Sequence, residues 1–178
     1  MKFKYNFDIN NVVLESKMSM KKLNFKKAYE ILKLPIMQGV VHSDIFYLYS
    51  ESCRILKLYE ESEKYLIECL QFDQHSPYVY YTGGLLYQET KEYRKSVSLF
   101  KHFLEVVENA ETQYQIAKSY TGLKKYLKAS LHISNAININ PNSVEYYNFR
   151  SKVYSIMGLH ELSKDDQTII RQLQQSLG

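Results

Sequence analysis

Three tyrosines, Tyr47, Tyr81 and Tyr114, stand 34 and 33 residues apart, and Tyr78 adds a fourth ring on the same stretch as Tyr81. A phenol joins a flat apolar face to a hydroxyl at its rim and has two torsions to freeze, which suits it to binding. Around the rings, in the same registers, lie Glu51, Arg54, Leu85, Gln88, Lys118, Asn148 and Lys152. Steps of i, i+3, i+7 and i+10 put such residues on one face of a helix. The spacing predicts a row of tyrosines, continued by Asn148, that accepts an extended or helical peptide segment. The same rings could instead lie against a neighbouring helix and serve packing, and the residues alone leave both readings open.

Catalytic chemistry finds little to stand on. His42, His75, His102, His132 and His160 are scattered, with no i, i+4 pair and no carboxylate or cysteine set beside them. Thr82-Gly83-Gly84 lies inside a helical pattern and not in a phosphate-cradling loop. Cys53 and Cys69 fit neither a disulfide framework nor a zinc site, and both fall on inward helical positions as reduced thiols. No enzyme activity, no cofactor and no metal site is expected.

The elements that position these residues recur. Residues 110–141 read as two amphipathic helices, with Ile116, Ala117 and Tyr120 on one and Tyr126, Ala129, Ile133, Ala136 and Ile137 on the other. Thr121-Gly122 is expected to break the pattern between them, and Asn140-Pro141 to end it. Equivalent stretches start at about residues 9, 43, 77, 110 and 144, steps of 34, 34, 33 and 34. Position by position they agree in kind. The eighth position holds Ser16, Ser50, Gly84, Ala117 and Ser151, and the twentieth Ala28, Ser62, Ser96, Ala129 and Ser163, all small. The seventeenth holds Phe25, Tyr59, Tyr93, Tyr126 and His160, all flat rings. Small residues at two facing positions let the paired helices approach closely, and the ring fills the notch beside their turn.

On these residues the chain resembles the tetratricopeptide (TPR) repeat family, whose pattern is W-x2-L-G-x2-Y, then A-x3-F, then Pro. The fourth unit carries it as Ile116, Ala117, Tyr120, Ala129, Ile133 and Pro141, and the third as Tyr80, Gly83, Gly84, Tyr87, Ser96 and Phe100. The first unit departs from it: Ser19 replaces an aromatic, and Pro35 is expected to cut the second helix short. In the fifth unit Arg150 stands where an apolar residue is usual, and Asp166 and Gln167 read as the polar face of a terminal cap. The resemblance implies an all-α, right-handed α-solenoid of stacked antiparallel helix pairs. Residues 1–8 would form an N-terminal arm. Residues 9–178 would form a single domain of units 9–42, 43–76, 77–109, 110–143 and 144–178. It also implies that the first helix of each unit lines a concave groove.

Composition and charge narrow the partner. Hydrophobic residues make up 45% of the 178, enough for a continuous core, and no apolar run approaches the ~18 residues that span a bilayer. With no apolar leader at its start, the chain reads as cytoplasmic, without membrane insertion. Residues 1–34 hold eight lysines against three acids, a net +5, while the whole chain carries +4, so the basic character is confined to one end. Lys17, Lys21, Lys22, Lys26 and Lys27 spread round their helices instead of forming one stripe and have no arginine among them, so a solvated face is expected and no nucleic-acid partner. The two-carboxylate clamp of chaperone-binding TPR proteins is not matched either: its positions hold Tyr47, Glu51, Thr82, Glu111 and Gln115, none of them basic. The expectation is a protein-interaction module that binds a peptide segment or partner protein in its groove, as adaptor, assembly factor or chaperone. The alternative is a self-associating scaffold, a homo-oligomer, with Phe3, Tyr5 and Phe7 of the arm as a strap.

Overall fold

The computed structural model describes residues 8–72 and 76–175, so the proposed strap at residues 1–7 and His75 lie outside the described residues. Ten helices, and no strand, are present among them: α1 (Ile9–Lys21), α2 (Phe25–Met37), α3 (Ser43–Ile55), α4 (Tyr59–Leu70), α5 (Tyr78–Glu89), α6 (Tyr93–Leu104), α7 (Ala110–Gly122), α8 (Tyr126–Ile139), α9 (Val144–Ile156) and α10 (His160–Gln175). The helices start where side chains can take up orphan amides. Asp8 accepts from the Asn11 amide at 3.1 Å, Asn24 from Lys27 at 3.0 Å, and Asn109 from Thr112 at 2.8 Å. The five rings at the seventeenth position each form the first residue of a second helix.

Within each pair the helices turn back through one recurring device. Leu23, Lys57, Lys91, Lys124 and Gly158 all have positive φ, between 57° and 77°, and recur at steps of 34, 34, 33 and 34 residues. The residue after the turn donates its amide to the carbonyl five residues back: Asn24 to Ser19, Leu58 to Cys53, Lys125 to Tyr120 and Leu159 to Tyr154, at 2.8–2.9 Å. This is the Schellman ending, which satisfies helix carbonyls that would otherwise lack donors. Only Gly158 announces it by residue type.

One expected helix end is met and one differs. Helix α7 ends at Gly122, and the left-handed residue that reverses the chain follows at Lys124. The ring of Tyr93 lies over Gly122, where a Cβ would come within 2.5 Å of it, so the glycine also serves close packing. By contrast α2 passes through Pro35 to Met37. A proline in the last turn forfeits a single helical hydrogen bond, and burial of its ring helps offset that loss.

The chain separates into two compact units, one up to Leu86 and one from Tyr87 on. In the first, Leu32, Ile45, Leu48, Tyr49 and Cys53 form a core against Val12, Val13 and Tyr29. In the second, Tyr114, Ala117, Ile133, Ala136, Ile137, Tyr146, Tyr147 and Ile170 do the same. Each fully buried Leu or Ile contributes about 1.5–3 kcal/mol. The small residues act as expected within the hairpins. Ser50 and Ser62 exchange reciprocal bonds, hydroxyl to carbonyl, at 2.9 and 2.8 Å. Ser151 donates to the Ser163 carbonyl at 3.1 Å. Such bonds need helix backbones closer than larger side chains allow.

The fifth hairpin corrects one expectation. Asp166 is 1% exposed and forms no solvent-facing cap. It accepts both arms of the Arg150 guanidinium, Nη2 to Oδ1 at 2.7 Å and Nε to Oδ2 at 3.0 Å. Gln167 does face solvent, at the twenty-fourth position, where Leu32, Leu66, Phe100 and Ile133 are fully buried.

Candidate binding surface

In the first unit, α3 carries Tyr47, Glu51 and Arg54 at i, i+4 and i+7, one helical face. Tyr47 is half-buried and hydrogen-bonds Glu51 and Thr82. Burial, then the neighbouring Glu51 charge, pushes its phenol well above the ordinary value. Burial also raises the Glu51 carboxyl, against the pull of Arg54 and of the Tyr47 hydrogen bond. Arg54 is 7% exposed, so this trio faces mostly inward. On α5, Tyr78 is 52% exposed, while Tyr81 and Leu85 are half-buried.

The second unit holds a more open arrangement. Helix α7 places Tyr114 against α9, where its ring meets Tyr146 (centroids 5.1 Å apart) and the edge of Phe149 (5.2 Å). The Tyr114 hydroxyl donates to Glu145 Oε1 at 3.1 Å, and Lys118 Nζ sits 5.3 Å from the ring centre. Tyr146 returns a bond from α9 to α7, its hydroxyl donating to Glu111 Oε2 at 3.3 Å. Burial first, then Glu145, raises the Tyr114 phenol. Beside this contact an open cleft is lined by Tyr114, Val144, Glu145, Asn148, Phe149 and Lys152. Asn148 and Lys152 are exposed on its wall.

The residues expected to bind therefore divide. Tyr114, Asn148 and Lys152 meet in one cleft, with Lys118 over the tyrosine ring. Tyr47, Glu51 and Arg54 cluster on α3 in the other unit. Gln88 spends its amide inside the fold, donating to the Gln115 carbonyl at 2.9 Å and to Ser119 Oγ at 2.8 Å. Glu145 and Phe149 were not among the expected residues, yet they line the cleft, and Glu111 and Tyr146 tie α7 to α9 next to Tyr114. Glu111 and Glu145 share the second position of their units with Tyr78, and that register was the signal available.

Among the described residues no three His, Cys, Asp or Glu side chains gather as metal ligands, and no helix is long and apolar enough to cross a membrane. Cys53 and Cys69 are free and fully buried, their thiols pushed up to about 12 and about 11 chiefly by that burial.

No protein-family model matches the chain, and no curated protein does. Solved structures match over nearly its whole length. MamA from Desulfovibrio magneticus RS-1 superposes with a TM-score of 0.84 at 14% identity, covering 94% of this chain and 95% of the other. A second MamA structure gives 0.81 at 15% identity, with 96% of each chain covered. YrrB, described as a TPR protein with an unusual peptide-binding site, gives 0.77 at 10% identity, covering 92% and 84%. At such identities the likeness is one of architecture, and the architecture is the all-α helix-hairpin solenoid of the TPR type.

Proposed function

We propose that the protein binds a segment of another protein along the faces of its first-of-pair helices, with the α7–α9 cleft as the principal contact. The observation that carries this reading is the pairing, in one open cleft, of an aromatic floor (Tyr114 and Phe149) with an exposed amide and ammonium, Asn148 and Lys152. A carboxamide offers one acceptor and two donors, which suits it to the peptide group of an extended chain, and Lys152 adds a cation for an acidic side chain. A peptide-binding TPR protein among the structural neighbours supports the same reading. Binding is proposed in place of turnover because the cleft's one carboxylate, Glu145, is engaged by the Tyr114 hydroxyl.

The test is an affinity capture from native lysate read by mass spectrometry, comparing wild type with an Asn148→Ala, Lys152→Ala variant. Both residues are exposed, so circular dichroism should show an unchanged fold. A partner retained by wild type and lost by the variant supports the cleft. A variant that keeps every partner overturns it.

A further inference from the structure

The first helix of each hairpin presents two sites to whatever precedes it, at the sixth and tenth positions of the unit. At the tenth, Ser52, Leu86, Ser119 and Val153 are at most 1% exposed. At the sixth, Leu48, Thr82 and Gln115 are 3%, 2% and 8% exposed, and Phe149 is half-buried. In α3 and α7 the cover is visible. Leu48 packs in a cluster with Val12, Val13 and Leu32 of the hairpin before it. Ser119 lies 2.9 Å from Ser96 Oγ and receives the Gln88 amide. These are helix-packing sites.

In α1 the same two positions are Leu14 and Met18, and they are 57% and 51% exposed. In the last hairpin Gln167 faces solvent at a position that is apolar and buried in every earlier unit, whereas the first hairpin keeps an apolar pair exposed at helix-packing register. Lys21, Lys22, Lys26 and Lys27 are exposed on the same hairpin, and Lys22 and Lys27 line one cleft with Met18, where Glu15 is the single carboxylate. Lys17 is engaged separately, 3.5 Å from Asp44.

We propose that the outer face of α1 docks an acidic amphipathic helix of another protein, which takes the place of a preceding hairpin. An apolar i, i+4 pair of that helix covers Leu14 and Met18, and its carboxylates lie over Lys21, Lys22 and Lys27. The register favours a helix because a helix hairpin covers these positions wherever the cover is seen. The charge favours an acidic partner over a second copy, since two lysine-rich ends brought face to face repel.

The experiment places the photo-cross-linker p-benzoylphenylalanine at residue 14 of the full chain, expressed in its native cells, and sequences the cross-linked products. The expected product is a peptide of another protein with net negative charge and an apolar i, i+4 pair. Lys21→Glu with Lys22→Glu should cut its yield about tenfold, because the complementarity is reversed. Asn148→Ala should leave the yield unchanged, which separates this face from the α7–α9 cleft. Cross-links to residues 1–7 of the same chain, to a second copy, to lipid or nucleic acid, or to no molecule at all each overturn the proposal. So does a partner peptide that is neutral or basic.

Discussion

Arg150 on α9 and Asp166 on α10 form a two-pronged ion pair, and Arg150 stands where the repeat usually carries an apolar residue. A third N–H of the guanidinium reaches Ser134 Oγ at 3.0 Å, and its central carbon sits 5.4 and 5.6 Å from the ring centres of Tyr147 and Tyr154. A bidentate pair with a further hydrogen bond is an arrangement in which buried charges cost least.

Removing one member should cost far more than removing both. Asp166→Ala strands a largely buried guanidinium and should destabilise by about 3 kcal/mol or more. Arg150→Leu combined with Asp166→Leu should recover most of that loss. Denaturant unfolding of the single and double variants measures both, and equal losses for the two would show that the pair is not the source.

The left-handed turn residues offer the opposite sign. An L side chain in that region costs roughly 1 kcal/mol relative to glycine. Lys57→Gly, Lys91→Gly and Lys124→Gly should therefore each raise stability by about 0.5–1 kcal/mol. All three side chains are exposed, so little packing is lost. Gly158→Ala should lower the unfolding midpoint by a comparable step.

Gly122→Ala should destabilise by about 1–3 kcal/mol, since its Cβ would overlap the Tyr93 ring. The cause is testable by a double-mutant cycle. On a Tyr93→Ala background the same change should cost little, because the overlapping atoms are gone. An unchanged cost there would place the strain in the helix backbone.

His132 gives the fold an acid sensitivity with a definite sign. Its Nδ1 lies 2.8 Å from Gln113 Oε1, and its ring stacks on Tyr120 with centres 5.3 Å apart. Burial first, then the charges of Lys101 and Lys128, lowers its pKa below the ordinary 6.5. The unfolded chain thus takes up a proton before the folded one does. Stability from this group is present above pH 6.5 and drains as pH falls through the lowered folded value. Urea midpoints measured downward from pH 7 should fall more steeply for wild type than for His132→Gln. Parallel curves would remove His132 as the cause.

Much of the architecture is legible in one dimension. The 33- and 34-residue period, the small residues at the eighth and twentieth positions and the ring at the seventeenth all follow from local requirements. Helix periodicity sets which residues share a face, and the distance between paired helices sets how large they can be. Ser50 with Ser62, and Ser151 with Ser163, show that constraint as reciprocal or shared hydrogen bonds.

Residue type misled where context overrides it. Pro35 looks like a helix end, yet α2 runs past it to Met37, because a last-turn proline loses one bond; Gly122 does end α7, and its missing Cβ also admits the Tyr93 ring. The real reversals at Leu23, Lys57, Lys91 and Lys124 carry no glycine signal, since the Schellman bonds hold the left-handed conformation whatever the side chain. In the cleft, Tyr114 and Lys152 were readable from register, whereas Gln88 was drawn into the fold by Ser119 and the Gln115 carbonyl.

The sequence by itself determined the repeat, the helix pairing and the inward positions, because these rest on spacing and volume along one chain. Tertiary structure alone decided that Arg150 and Asp166 neutralise each other, and that Leu14 and Met18 stand exposed at positions buried or half-buried in the other hairpins. Partnership and exposure depend on which surface lies opposite, and residues far apart in the chain supply that surface.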